Sequence, residues 1–511
     1  MEGRWILSIC IVLFTAALWR FVTVYWWRPR AIAAQLKKEG IQGPPPRFMV
    51  GQIAEIQNMR SAIKDHDMES FSHDIFHRVH PALLKWRKQY GKRFVFWWGT
   101  EPRISVSEPE IVREVLSKKF SQFDKSEAGL RLANLFLGRG LVSVTGEEWS
   151  HHRRLVAPAF FHKRIKQMTG TIAGCASRML DQCEATMHQN PEIEISGEVR
   201  KLTGDVISHT AFGTSYLKGQ RVFEILSKKI PELLPKLVSF SWIPGFRFLP
   251  LPINLRMWKL HQELDSLITG IIDERRNSVK SGGSNTYGND LLGLMLKECD
   301  SSSNFTRRDL IEECKTFYFA GHATTATLLT WTLMLLGGYP EWQERARAEV
   351  HEVCGNEIPD GESVSRLKLV GMILYETLRL YPPAIEMTRE CVEESWLQDL
   401  HVPKGVSVSF PIAGLHQDKE LWGEDAGQFN PDRFKDGISS ACKHPNAFMP
   451  FSFGPRVCVG QSFAMIEAKV ILAMILQRFL FRLSPNYRHN PAMKFFFLKP
   501  IHGVPLVLSK M

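Results

Sequence analysis

The chain has 511 residues, 44 % of them hydrophobic, and a formal charge of +11 from 64 basic and 53 acidic side chains, which is a globular composition with room for one large core or several domains. The positive charge is diffuse and shows no Lys/Arg stripe interleaved with aromatics; this argues against a nucleic-acid partner and for a membrane surface or an acidic protein. Nine cysteines, odd in number and unclustered, exclude a disulfide framework and suit a reducing compartment.

Trp5 to Trp27 is nearly all apolar, broken by Arg20. A spanning helix needs about 20 apolar residues, and a cleaved signal peptide would have a shorter core. Arg20 lies near the far end, where its stem can reach the interface. Tyr25, Trp26 and Trp27 form an aromatic belt, and Arg28 and Arg30 follow, which places the rest of the chain on the cytosolic side. Residues 1–27 are therefore read as a membrane anchor and 28–47 as a basic, proline-rich linker, stiffest at Gly43-Pro44-Pro45-Pro46-Arg47. Residues 48–511 form the body, with no internal repeat and no dividing boundary.

Arg93 to Trp98 and Arg103 to Val106 read as short strands around a turn at Gly99-Thr100-Glu101-Pro102. Helical patterns dominate from Pro109 to Lys280, and Ser281 to Asn285 reads as a surface loop. Asn304-Phe305-Thr306 is a glycosylation sequon by pattern, in a body expected to stay cytosolic. Trp149 and Arg153 lie four apart on a predicted helix and offer an indole N–H and a guanidinium to one carboxylate.

Phe317 to Leu336 is a long apolar helix that contains Ala320-Gly321-His322-Ala323-Thr324-Thr325. Glycine inside a helix costs about 1 kcal/mol against alanine, so Gly321 needs a reason. It shares a face with Thr324, and that face suits either a groove for dioxygen or a close helix crossing. His322 points away from Thr324 by roughly 200° around the helix. Glu376 and Arg379 lie three apart on an apolar helix that ends at Pro382-Pro383, and a second arginine, Arg433, follows in Asn430-Pro431-Asp432-Arg433-Phe434.

Phe451-Ser452-Phe453-Gly454-Pro455-Arg456-Val457-Cys458-Val459-Gly460 sets one cysteine between glycines, just before an apolar helical run from Gln461 to Leu480. Glycine lets the backbone turn tightly and approach a flat ligand. Bare amides, a helix N-terminus and Arg456 favour an anion, so Cys458 has the surroundings of a thiolate ligand for haem iron.

These motifs, in this order, resemble the cytochrome P-450 superfamily over the whole chain: anchor, proline hinge, W-x-x-x-R, oxygen helix, E-x-x-R, P-x-R-F and F-x-x-G-x-R-x-C-x-G. The resemblance implies a mainly α fold with small β-sheets behind one transmembrane helix. It implies haem b held by Cys458, with Trp149, Arg153, Arg389 and Arg456 on the haem, and Glu376, Arg379 and Arg433 bracing the cysteine loop. Gly321 and Thr324 are the catalytic positions, activating O2. This chain departs from the family at Ala323, where the family's A-G-x-D/E-T-T carries an acid. Finer features, such as Trp27-Arg28-Pro29-Arg30 and Asn486-Tyr487-Arg488-His489, resemble the plant clan that oxidises hormones and terpenoids. Within it the chain is most similar to cytokinin hydroxylases, then to brassinosteroid-inactivating hydroxylases. The implied function is an NADPH- and O2-dependent monooxygenase of the endoplasmic reticulum membrane, single-pass, with a cytosolic catalytic domain. A flavin reductase would dock near Arg154, Lys163, Arg164 and Lys166. The substrate would be an apolar small molecule, best matched by a prenyl side chain; steroid, gibberellin, terpenoid or fatty-acid skeletons are alternatives. Phe123, Leu132, Phe136, Phe317, Ile385, Met387, Phe496 and Phe497 are the candidate pocket residues. An isomerase or lyase is the alternative that Ala323 raises, and an inactive haem-binding protein is a second one.

Overall fold

Helix α1, Glu2–Val22, passes through a π-helical turn at Thr23–Trp27 into α2, Arg28–Lys38. The Arg28 N–H donates to Thr23 O, one residue further back than in an α-helix. A widened turn at this point relieves the clash between the Pro29 ring and the carbonyl four residues back. The apolar helix thus continues eleven residues beyond the expected end at Trp27. The structure is a computed structural model and describes the chain apart from residues 1, 241–244, 282–285, 303 and 495, and apart from the side chains of 2–4, 216–218 and 239. Most of the expected loop after Ser281 lies outside the described residues.

The stretch 28–47 packs on the body. Leu36 is fully buried, and a Cβ on Gly405 would lie 2.5 Å from Arg28 Nη2. Gln42 O accepts from the Val95 N–H at 3.0 Å, and a Cβ on Gly43 would overlap Val95 O. The segment is therefore helical to Lys38 and then extended against the sheet.

Strands β1, Phe94–Trp98, and β2, Glu101–Ser105, pair with Trp98 opposite Glu101. The turn is thus Gly99-Thr100 alone, two residues tighter than the sequence implied, and Gly99 takes φ +63° to make it. The element order continues with β3, Phe123–Asp124, α3, Gly146–Val156, β4, Glu192–Glu194, and α4, Ile195–Phe212. Next come α5, Arg307–Gly338, α6, Lys368–Leu380, β5, Met387–Cys391, and β6, Ser407–Phe410. Helix α7, Gln461–Arg478, is followed by β7, Phe479–Leu483, β8, Pro491–Lys494, β9, Phe497–Pro500, and β10, Pro505–Lys510.

One sheet has the order β1-β2-β6-β5-β3, with β2 and β6 parallel and the other pairs antiparallel. A second has the order β4-β10-β7, and β8 pairs with β9 as a hairpin. Helices make up most of the body, which is the mainly α fold with small sheets that the sequence implied. At its centre runs α5, 32 residues long, started by a capping box in which Thr306 and Asp309 satisfy each other's backbone N–H groups. The threonine of the sequon is thus a helix cap.

Candidate haem site

Cys458 sits three residues before α7, in a loop pinned by its own N–H, which donates to Phe451 O at 2.9 Å. Gly454 adopts φ +69° beneath Leu116, and a Cβ there would overlap the Leu116 carbonyl, so only glycine allows this approach. Among the nine cysteines only Cys10, in the anchor, and Cys458 are exposed. The Cys458 sulfur is nevertheless closely surrounded by protein, and this burial raises its pKa, against a lowering by the Gly460 N–H and by Arg153. A metal binds such a group by displacing its proton.

Arg153 is the guanidinium that acts on Cys458, not Arg456 as the sequence implied. Arg456 turns the other way: its Nη1 lies 2.5 Å from Asp124 Oδ1, and its guanidinium carbon lies 4.7 Å from the Trp149 ring centre. The Nε and Nη1 atoms of Arg456 are buried without a hydrogen bond of good geometry. Around it stand Arg389, on β5, and Lys125. Burial and then repulsion from Arg456 lower the Arg389 pKa to about 10. Burial, then Arg456 and Arg389, lower Lys125 to about 7, although its ammonium donates to Leu141 O and Val144 O. Asp124 faces these cations, and Glu313 also acts on Lys125 but is already bonded to His152 and has its pKa raised by burial, which leaves the cluster short of negative charge. The two propionates of haem b would supply that charge, beside a soft sulfur ligand for its iron. The residues present therefore fit the group.

The cysteine loop is braced from behind. On α6, Glu376 Oε2 and Oε1 each accept from Arg379 at 2.7 Å, and both side chains are fully buried. Arg379 also donates to the carbonyls of His416, Ala426 and Gln428, and Glu376 accepts from the Asn430 N–H at 2.9 Å. Arg433 Nε is 3.5 Å from Glu376 Oε1, while its fork holds Trp422 O and Asp425. The ring of His416 accepts the Met449 N–H at 3.0 Å, which ties this network to the start of the loop.

Between Leu310 and Gly337 helix α5 is almost wholly buried, and Phe319, Ala320, Gly321 and Thr324 are its half-exposed residues. Thr324 Oγ1 donates to Ala320 O at 2.7 Å. Gly321 sits where α4 crosses, and a Cβ there would lie 2.6 Å from Ile207 Cδ1. That packing accounts for the glycine by itself. Ala323 is buried. His322 is buried against α4 and the turn at Ser227; burial lowers its pKa to about 3, and its Nδ1 is 3.5 Å from Ser227 Oγ. It is a neutral core residue that faces away from Thr324.

Phe136, Phe496 and Phe497 gather as expected, and they gather on Phe319, which the sequence reading missed. Phe136 meets Phe319 edge-on at 4.5 Å, Phe496 lies 5.9 Å from Phe136, and Phe497 lies 5.3 Å from Phe319. Two expected pocket residues pack elsewhere. Phe317 stacks on Phe160 at 5.5 Å, and Phe123 is buried in the core of the five-stranded sheet. Phe160 covers the Phe317 ring.

Residues 70–506 match the family model described as cytochrome P-450. The chain is 44 % identical over 524 residues to cytochrome P-450 CYP72A616 of Paris polyphylla, covering all of both chains. It is 42 % identical over 508 residues to a cytokinin hydroxylase of Arabidopsis thaliana, covering 99 % of this chain and 98 % of the relative. A second cytokinin hydroxylase of that plant is 40 % identical over 515 residues, with 99 % and 98 % covered.

Proposed function

Because this chain belongs to the cytochrome P-450 family, a family of haem b monooxygenases that use O2, a redox partner and small-molecule substrates, we propose that it hydroxylates a prenyl side chain of a cytokinin-like plant hormone. The observation that carries the haem assignment is the cation cluster of Arg389, Arg456 and Lys125, short of negative charge, beside a loop whose cysteine feels the charge of Arg153. Cys458 would hold the iron, and Trp149, Arg153, Arg389 and Arg456 would hold the propionates. When bound, the haem supplies the oxidation by activating O2, and a thiolate ligand favours O–O cleavage. The rest is the work of side chains. Thr324 offers a hydroxyl in the half-exposed stretch of α5, where it can hold a water or pass a proton. Gly321 acts by letting α4 approach. Phe136, Phe319, Phe496 and Phe497 give an apolar wall that orients a prenyl chain and excludes water. Two cytokinin hydroxylases at 40–42 % identity support the substrate class.

The same reading includes an NADPH-dependent flavin reductase as electron donor, an endoplasmic reticulum location with one membrane pass, and a cytosolic body from residue 48. The α1–α2 helix supports it: by length and composition it can cross a membrane. A haem-thiolate isomerase is the second reading, and Ala323 favours it, since the position before Thr324 carries no carboxylate. Reduced carbon monoxide spectra, NADPH consumption with reductase, and a binding screen of prenyl adenines, steroids, gibberellins and fatty acids separate the two. Product from a prenyl adenine, made only with reductase and NADPH, is the expected result. Turnover of a peroxide without reductase overturns it.

A further inference from the structure

Two turns beyond Thr324 on α5, roughly 10 Å along the axis and on nearly the same face, stands Trp331. It is fully buried, and its indole stacks on Tyr381 with centroids 4.3 Å apart and planes 15° from parallel. Tyr381 OH is 2.6 Å from His73 Nδ1, and His73 Nε2 is 2.8 Å from Tyr339 OH. His489 Nε2 lies 3.0 Å from Ser72 O and 3.3 Å from Tyr381 OH, while its Nδ1 is 2.7 Å from Tyr487 OH. Tyr487 and His489 belong to the Asn486–His489 stretch that stood out in the sequence and that the haem site does not use.

The partners fix the protons. The Ser72 carbonyl only accepts, so His489 carries its hydrogen on Nε2, and its bare Nδ1 takes the Tyr487 O–H. The same Nε2–H leans on Tyr381 OH, which leaves the Tyr381 proton to be donated to His73 Nδ1. His73 then carries its hydrogen on Nε2 and donates to Tyr339. Burial holds both imidazoles neutral, His73 at about 3 and His489 at about 4. The result is a buried phenol bonded to a neutral base, whose far edge reaches Tyr339, a half-buried phenol.

We propose that Trp331, Tyr381 and His73 form an outlet that carries oxidising equivalents stranded at the haem towards the protein surface. The oxidant is hydrogen peroxide released by unproductive turnover. Reduction of one peroxide to two waters takes two electrons and two protons. Tyr381 gives one electron by way of Trp331 and one proton to His73 Nδ1; His73 passes its Nε2 proton to Tyr339, and Tyr339 passes one to solvent. The phenol is left as a neutral radical. Tyr339, at the half-buried end, gives the second electron and passes its own proton to solvent, and the two protons that the peroxide takes up are drawn from solvent at the haem. An alanine at 323 gives such an outlet a purpose, because slow proton supply beside Thr324 releases peroxide. The proposal rests on the haem lying between Cys458 and Thr324.

Full-length, haem-loaded protein without substrate is mixed with hydrogen peroxide, freeze-quenched and read by electron paramagnetic resonance, while haem bleaching is followed in the Soret band. Wild type should show a tyrosyl radical. Tyr381→Phe and Trp331→Phe, checked for an unchanged reduced carbon monoxide spectrum, should lose more than half of it and bleach several-fold faster. If either variant fails to fold, Tyr339→Phe at the half-buried end is read instead, and it should also lower the radical yield. Equal radical yield and equal bleaching in the folded variants overturn the outlet and leave the network a structural tie. An error in the haem placement shows separately, as a wild-type protein with no thiolate-type spectrum.

Discussion

Replacing Glu376 with alanine removes the carboxylate that holds Arg379 through two bonds of 2.7 Å, in a place where neither side chain has any exposed surface. Arg379 would keep its three carbonyl acceptors but lose its counter-charge. Breaking a buried pair by removing one partner costs about 3–5 kcal/mol, because the surviving charge stays desolvated. At about 1.4 kcal/mol per factor of ten, the folding equilibrium falls by a factor of roughly 100 to 4,000. The Asn430 N–H loses its acceptor as well, which adds about 1–3 kcal/mol if no water replaces it. An exposed pair serves as control: Glu127→Ala breaks a contact with Arg131 four residues on and should cost less than about 0.5 kcal/mol. The assay is denaturant unfolding of the full chain in detergent, followed by tryptophan fluorescence and by the Soret band. Haem should leave at lower denaturant than the global transition, because the His416–Met449 bond links this network to the cysteine loop. The double variant Glu376→Leu/Arg379→Met should lose less than Glu376→Ala, since it leaves no unpaired charge. If Glu376→Ala behaves like Glu127→Ala and retains haem equally well, the bracing role is refuted.

Three further outcomes are expected. Ala323→Glu should raise product formed per NADPH oxidised, because general acid–base help is worth typically 10²–10⁴-fold; overpacking this buried site costs about 1–3 kcal/mol, so coupling is read only in folded, haem-loaded protein. Full coupling in wild type would sink this expectation, and His322 could not explain it, since it is neutral and faces away. Deleting residues before Arg28 should release much of the protein from microsomes but not all: Phe248, Leu249, Leu251, Leu255 and Trp258 expose a second apolar surface. Complete release, or protease protection of the body in sealed microsomes, contradicts the topology. Arg154→Glu with Lys163→Glu should slow reductase-supported turnover and flatten its salt dependence; both side chains are exposed, whereas Arg164 bonds Asn289 O and Lys166 pairs with Glu362. Unchanged turnover would leave the patch a solvated face.

Periodicity and motif spacing located the long helices and brought Trp149, Arg456 and Arg389 into one neighbourhood, because those features are local or shared by a family. Features that depend on a partner distant in sequence were not legible. Arg456 lies two residues before Cys458, yet the guanidinium that acts on the sulfur is Arg153, over 300 positions earlier; the loop turns Arg456 towards Asp124. Gly321 suited either a groove for dioxygen or a close helix crossing, and only the fold, which puts Ile207 of a crossing helix against it, favours the crossing. Phe319 entered the aromatic wall and Phe317 left it because Phe160 occupies one flank of α5. The proline-rich stretch after the anchor reads as a linker, but Leu36 and Gly43 have places on the body that only the folded sheet supplies.

The reduced carbon monoxide difference spectrum of Cys458→Ser tests the central claim most directly. A hydroxyl is a poor soft ligand, so the thiolate-type band should vanish and haem should bind weakly or be lost. A band unchanged from wild type would contradict Cys458 as the iron ligand.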